Sequence, residues 1–200
     1  MYKNYIFDMG GVLLRYDTRL MSRALAGSDA DAEILERALF LSNEWRLADL
    51  GNISQETLLS SVLSRIPLRL IPAMTELFRT WHIYMTPLEG ASDCLRALKN
   101  DGRRLYLLSN ASTRFEDISA LNPGIFSQFD GMIVSAYEHV IKPDEKIYHT
   151  LLERFSLDAG ECIFFDDMPR NVYGAKRCSM ASSVFNGDFS RILEISRKNT

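Results

Sequence analysis

An aspartate closes the first apolar run of the chain, in Tyr5-Ile6-Phe7-Asp8-Met9-Gly10-Gly11-Val12. A hydrophobic strand that ends in a carboxylate and then two glycines puts an acid where the backbone turns sharply and a ligand comes close. Three further groups stand at or just past the ends of strand-like runs. Ser109-Asn110 follows Leu105–Leu108, Lys142-Pro143-Asp144 precedes a helical pattern, and Asp166-Asp167 follows Cys162–Phe165 with Asn171 shortly after. Two adjacent carboxylates after a buried strand repel, and a cation relieves that repulsion. Singly, each group has an ordinary structural explanation. Aspartate before glycine is turn chemistry, Ser109-Asn110 and Asp166-Asp167 are cap residues, and Lys142 is a solvated lysine. Together they make a candidate site of acids, an ammonium and a hydroxyl.

The elements that must position these residues are readable in outline. Tyr5–Phe7, Leu105–Leu108, Met132–Val134, Cys162–Phe165 and Ser183–Phe185 are short, continuous apolar runs. Continuous rather than alternating hydrophobicity predicts strands buried on both faces of a parallel sheet. Helical patterns lie between them, over 91–100 (closed by Gly102), 145–155 and 169–180, the last opened by Pro169. Alternating strands and helices predict an α/β fold with right-handed crossovers. In such sheets ligands bind at the carboxyl ends of the strands, where all four groups lie.

Residues 17–85 break the rhythm. They carry apolar stripes at helical spacing and no strand-like run, which predicts an all-helical bundle inserted after the first strand. The expected division is a core of 1–16 and 86–200 with a helical cap of 17–85, and Pro67, Pro72 and Pro87 marking its later turns and exit. Trp45, Trp81 and Tyr84 are expected in the core of this bundle.

Composition excludes several classes. A chain of 200 residues, 46% apolar and 24% charged, buries a large core without disulfides or structural metals. A net charge of −3 gives no nucleic-acid surface, and no run reaches the roughly 20 apolar residues of a membrane span. Cys94, Cys162 and Cys178 form no CxxC pair, and the N-terminus has no secretory pattern, so a reduced, cytoplasmic protein is expected. His82, His139 and His149 show no zinc-like spacing with each other or with a cysteine.

The four segments FDMGGVL (7–13), LLSNAS (107–112), KPD (142–144) and FFDDMPRN (164–171) occur in this order, with a helical insertion after the first. In this the chain resembles the haloacid dehalogenase superfamily, and within it the phosphohydrolases with a helical cap. The resemblance implies a Rossmann-like parallel sheet under a helical lid. It also implies Asp8 as the nucleophile that forms an aspartyl-phosphate, a role open to a carboxylate because it is ionised without an activating base. By the same resemblance Ser109, Asn110 and Lys142 hold the phosphoryl group, Lys142 offsetting the repulsion between two anions. Asp8, Asp167 and the backbone carbonyl of Gly10 bind magnesium, an ion that prefers hard oxygen ligands. Asp166 and Asn171 support them. The implied partner is a small phosphorylated metabolite, with no nucleic acid and no membrane, and a monomer or homodimer.

The chain departs from this pattern at Gly10, where the usual phosphatase has a second aspartate that protonates the leaving oxygen. Losing a general acid costs on the order of 10²–10⁴-fold for a poor leaving group. Three outcomes stay open. The substrate has a better leaving group, as in a sugar 1-phosphate or acyl phosphate, which is the favoured reading; another group, from the cap, supplies the proton; or the protein is a weakly active phosphoryl-binding module. A dehalogenase, in which Asp8 attacks carbon without magnesium, is the rival, and the Asp166-Asp167 pair argues against it. Arg15, Arg46 and Lys146 are further candidates for substrate contact.

Overall fold

A computed structural model describes residues 1–198. Five strands, β1 (Asn4–Phe7), β2 (Arg104–Ser109), β3 (Gly131–Val134), β4 (Cys162–Asp166) and β5 (Ala181–Val184), form one parallel sheet in the order β3-β2-β1-β4-β5. The first strand is therefore central, with Phe7 level with Leu107 on one side and Phe165 on the other. This register brings the residues after β1, β2 and β4 to one edge.

Alternate residues of the central strands feed two separate cores. Tyr5, Phe7, Leu105, Leu107, Ile163 and Phe165 face one side, and Ile6, Tyr106, Leu108, Cys162 and Phe164 the other. Burial on both faces explains why these strands read as continuous apolar runs. Each fully buried large side chain contributes about 1.5–3 kcal/mol.

The helices, in chain order, are α1 (Thr18–Arg23), α2 (Asp29–Leu39), α3 (Asn43–Asp49), α4 (Gln55–Leu63), α5 (Ile71–Thr80), α6 (Ala91–Asn100), α7 (Phe115–Leu121), α8 (Pro123–Phe126), α9 (Ser135–Glu138), α10 (Glu145–Arg154), α11 (Pro169–Arg177) and α12 (Phe189–Lys198). Helix α6 keeps its expected bounds. Helices α10 and α11 stop short of theirs, because Ser156 and Ser179 take positive φ. Helices α1–α5 and two 3-10 turns occupy residues 18–84 without a strand. Serines cap three of them: Ser28, Ser42 and Ser54 accept from the backbone N–H groups of Asp31, Trp45 and Thr57. Leu35, Leu39, Leu58, Val62, Met74 and Leu77 of these helices join the core that contains Tyr5 and Phe7. Pro72 lies in the first turn of α5 rather than in a turn between helices, where its missing N–H costs nothing.

The expected strand at Ser183–Phe185 is shifted: β5 starts at Ala181 and Phe185 lies beyond it. An edge strand completes its ladder through backbone groups with one neighbour, so the small residues Ala181, Ser182 and Ser183 suffice. Phe185 instead packs its ring 4.8 Å from that of Phe189. The three cysteines are free and buried, and burial pushes the thiols of Cys94 and Cys162 up to about 12 and about 11. Among the described residues no helix is long and apolar enough to cross a membrane.

Candidate active site

Asp8 follows β1 directly, and its N–H donates to the Phe165 carbonyl at 2.9 Å. That bond continues the ladder one residue past the strand and aims the carboxyl over the sheet edge. Lys142 reaches it from the loop before α10. The lysine is almost wholly buried, at 2% exposure. Its Nζ donates at 2.7 Å to Asp8 Oδ1, to Asp166 Oδ2 and to the Leu108 carbonyl. All three ammonium protons are thus used. Burial works against the charge on Lys142, yet Asp8 and Asp166 together hold its pKa above the ordinary value.

Asn110 fixes the backbone of this lysine from both sides. Its Nδ2 donates to the Lys142 carbonyl at 3.0 Å, and its Oδ1 accepts from the Lys142 N–H at 2.8 Å. The sequence expectation gave Asn110 to the phosphate; in the structure its amide positions Lys142. Asp144, of the same KPD segment, caps α10 through the Lys146 N–H.

Asp166 is fully buried and its oxygens are committed. Oδ1 accepts from the Met168 N–H at 2.8 Å, and Asn171 Nδ2 donates to both oxygens at 3.0 and 3.1 Å. Asp167, next in the chain, is only half-buried. Burial and then the neighbouring Asp166 raise its pKa. The carboxyl of Asp8 is raised as well, by burial first, with Lys142 pulling it back. Oxygens of Asp8, Asp166 and Asp167 lie within 4.8 Å of one another. Gly11 leaves the room this needs. At φ +76° it has a backbone that side chains rarely adopt, and a Cβ there would stand 2.6 Å from Asp167 Oδ2.

A cavity of about 280 Å³ opens over this floor. Asp8, Gly10, Asn110, Lys142, Asp167 and Asn171 line it, so the fold brings together most of the residues expected from the sequence. Asp166 lies buried beneath the floor, and Ser109 is also off the cavity. The serine is buried at the end of β2, and the following residues, Asn110 to Ser112, form the wall instead. The opposite wall comes from the helical segment, with Trp45, Asp49, Trp81 and Met85. Trp45 and Trp81 pack edge to face at 5.0 Å, serving both the bundle core and the cavity, while Tyr84 is partly buried against that core. Of the three further candidates only Arg46 borders the site, in an adjoining cavity.

Several lining residues do not stand out among the sequence candidates: Tyr16, Asp49, Phe115 and Arg170. Asp49 had a signal available. A carboxylate in the last turn of a helix opposes the helix dipole, so such a residue is usually there for another reason. The fold also gathers Glu145, His149 and Cys178, whose ligand atoms lie within 4.8 Å although the sequence shows no zinc-like spacing. Glu145 is ion-paired with Arg177, and burial raises the pKa of the Cys178 thiol.

Known proteins resemble the chain in sequence and in fold. A sesquiterpene phosphatase of Aspergillus oryzae is 26% identical over 198 residues, 97% of this chain and 95% of that protein. Two solved structures share the fold. One is a family enzyme of Bacteroides thetaiotaomicron with magnesium and inorganic phosphate (TM-score 0.72, 18% identity, covering 96% of this chain and 99% of that one). The other is the L-2-haloacid dehalogenase of Xanthobacter autotrophicus (TM-score 0.69, 20% identity, 92% and 77%). The haloacid dehalogenase-like hydrolase family matches residues 2–178, nearly the whole chain, and the protein belongs to it.

Proposed function

We propose that this hydrolase is a magnesium-dependent phosphatase of small phosphorylated metabolites, working through an aspartyl-phosphate on Asp8. The charge balance of the cavity floor carries the reading. Three carboxylates have oxygens within 4.8 Å of one another, and the one buried ammonium pairs with two of them, Asp8 and Asp166. That leaves a surplus of negative charge which a divalent cation neutralises, and hard oxygen ligands suit magnesium. A dehalogenase needs no such surplus.

In this reading Asp8, Asp167 and the carbonyl of Gly10 hold the ion, which supplies positive charge to the phosphoryl oxygens. Asp166 has no oxygen free and acts as support, held by Asn171. Lys142 fixes Asp8 Oδ1 and leaves Oδ2 for attack on phosphorus. The tightly tied lysine keeps the nucleophile aligned and offsets its charge as the phosphate approaches. The 17–85 segment serves as the cap that covers the substrate's organic part, with Trp45, Trp81 and Met85 against it. Sugar 1-phosphates are the first substrates to try, because their leaving group makes the smallest demand on an acid and position 10 itself supplies none.

The deciding experiment is phosphate release from a metabolite panel, with magnesium and again with a chelator. Release that stops on chelation is the expected result. Halide release from 2-haloacids that survives the chelator would replace the phosphatase reading with the dehalogenase one. Equal turnover of sugar 1- and 6-phosphates would remove the leaving-group preference while keeping the phosphatase.

A further inference from the structure

The cavity floor holds a nucleophile and its charge partners but no evident proton donor. An alkoxide leaving group needs one, and the water of the second step must lose a proton. The titratable residues on the cavity wall are Asp8, Tyr16, Asp49, Lys142, Asp167 and Arg170. Lys142 has all three protons in hydrogen bonds to Asp8, Asp166 and Leu108. Arg170 does not give up a proton at working pH. The Tyr16 hydroxyl is held well above its ordinary pKa, by burial and then by Asp49 beside it. Asp8 and Asp167 belong to the floor. Asp49 remains.

We propose that Asp49, on the helical segment, is the general acid–base of this site. The inference rests on the phosphatase reading and adds a catalytic residue to it. Asp49 ends α3 and lines the same cavity as Asp8. Its position is built rather than incidental. The Ser112 N–H, in the loop that follows β2, favours the ionised form of the carboxyl. The Asp49 carbonyl accepts from Ser135 Oγ at 2.6 Å, and the same oxygen accepts from the Ala111 N–H at 2.9 Å. One hydroxyl thereby ties the end of α3 to the strand loop that borders the nucleophile. Among the described residues no cation pairs with Asp49, so nothing cancels a charge placed there.

The surroundings explain why the acid comes from this side. A side chain at Gly10 would meet Tyr16, whose Cβ and Cγ stand 3.2 and 3.3 Å from a Cβ built on the glycine. Tyr16 thus fills the room beside the nucleophile loop, and its hydroxyl lies near enough to Asp49 to feel that carboxyl's charge. Although Asp49 is only half-buried as a residue, its carboxyl is desolvated, which raises its pKa to about 7, with the Ser112 N–H pulling the other way. A carboxyl titrating there is partly protonated and partly ionised at neutral pH, as both half-reactions require.

The proton count closes over the two steps. Asp8 Oδ2 attacks phosphorus, the bond from phosphorus to the leaving oxygen breaks, and that oxygen takes the proton of Asp49 to depart as an alcohol. Water then attacks phosphorus and gives its proton to the Asp49 carboxylate. The bond from phosphorus to Asp8 breaks, inorganic phosphate leaves, and both aspartates return to their starting forms.

The test compares Asp49→Asn and Asp49→Glu with the unaltered protein, in magnesium, on p-nitrophenyl phosphate and on the best alkyl phosphate of the panel. p-Nitrophenolate leaves without a proton, whereas an alkoxide does not. Asp49→Asn is expected to lower kcat/KM for the alkyl ester by about 10²–10⁴-fold. It should leave the first burst of p-nitrophenol nearly intact and slow only the later turnover, where water needs a base. Asp49→Glu should recover part of the loss. With the alkyl ester, kcat/KM of the unaltered protein should fall as pH rises through about 7, and Asp49→Asn should abolish that limb. Equal losses on both esters, or no loss on either, overturn the role of Asp49 while the phosphatase stands. So does an unaltered protein that turns over p-nitrophenyl phosphate and no alkyl ester. No phosphate release from either ester by the unaltered protein overturns the phosphatase reading, and this one with it. A thermal melt of Asp49→Asn that matches the unaltered protein separates lost chemistry from lost folding.

Discussion

Replacing Lys142 with methionine removes the ammonium while keeping an unbranched side chain of comparable bulk in the buried slot. Asp8 Oδ1, Asp166 Oδ2 and the Leu108 carbonyl would each lose a donor that now stands at 2.7 Å. Breaking a buried pair from one side costs about 3–5 kcal/mol, because the partner charge stays buried and uncompensated. Domains of this kind have about 5–15 kcal/mol in all. At about 2–4 °C per kcal/mol for a chain of this length, the melting midpoint falls by roughly 6–20 °C. The loss has a definite pH dependence. Without the lysine, burial and the neighbouring Asp166 raise the folded-state pKa of Asp8 further above its unfolded value near 4. A carboxyl that is harder to ionise in the folded state costs stability once pH exceeds its unfolded pKa, and the cost vanishes where both states are protonated. The deficit of Lys142→Met is therefore larger at about pH 8 than at about pH 5. Urea unfolding of both proteins at the two pH values measures it. A deficit below about 1 kcal/mol at the higher pH, or one that does not shrink at the lower, would refute the view of Lys142 as the charge that makes this floor tolerable.

Two other substitutions separate the parts of the site. Gly11→Ala forces a Cβ into Asp167 Oδ2 at a φ of +76°, so the magnesium concentration needed for half-maximal phosphate release should rise at least about tenfold, with about 1–3 kcal/mol of backbone strain. A magnesium titration of the rate reads this directly, and an unchanged titration removes Asp167 from the cation site. Ser135→Ala deletes the hydroxyl shared by the Asp49 carbonyl and the Ala111 N–H, at 2.6 and 2.9 Å. It should cost about 1–3 kcal/mol in unfolding and lower the rate on alkyl phosphates more than on p-nitrophenyl phosphate.

The sheet and the floor of the site were legible in the sequence because both depend on short-range pattern. Strands buried on two faces must be apolar throughout, so Tyr5–Phe7, Leu105–Leu108 and Cys162–Phe165 stand out, and the acids at their ends stand out with them. Strand β5 was harder to place, since an edge strand can be held by backbone bonds alone. The duty of Asn110 was not readable, because its partner Lys142 lies 32 positions away in the chain. The wall of the cavity was least readable of all. Asp49, Trp45 and Tyr16 are placed by the docking of the helical segment on the β2 loop and α9, through Ser135 and through a hydrogen bond between His139 Nδ1 and the Leu50 carbonyl. No periodicity reports such a docking. Helices α7, α8 and α9 are short, and their stripes are too brief to be distinctive.

The close approach of Tyr16 to Gly10 has a consequence for how such a chain changes by mutation. With 3.2 Å between the tyrosine Cβ and a Cβ at position 10, residue 16 must give by a few tenths of an ångström before an aspartate fits there. Shrinking Tyr16 alone would leave a gap beside the nucleophile and remove the hydroxyl that lies near Asp49. Each single replacement is therefore worse than either end point, and a route between the two acid placements passes through a handicapped intermediate. A library that varies positions 10, 16 and 49 together should recover two separated optima, with few active single-step neighbours between them.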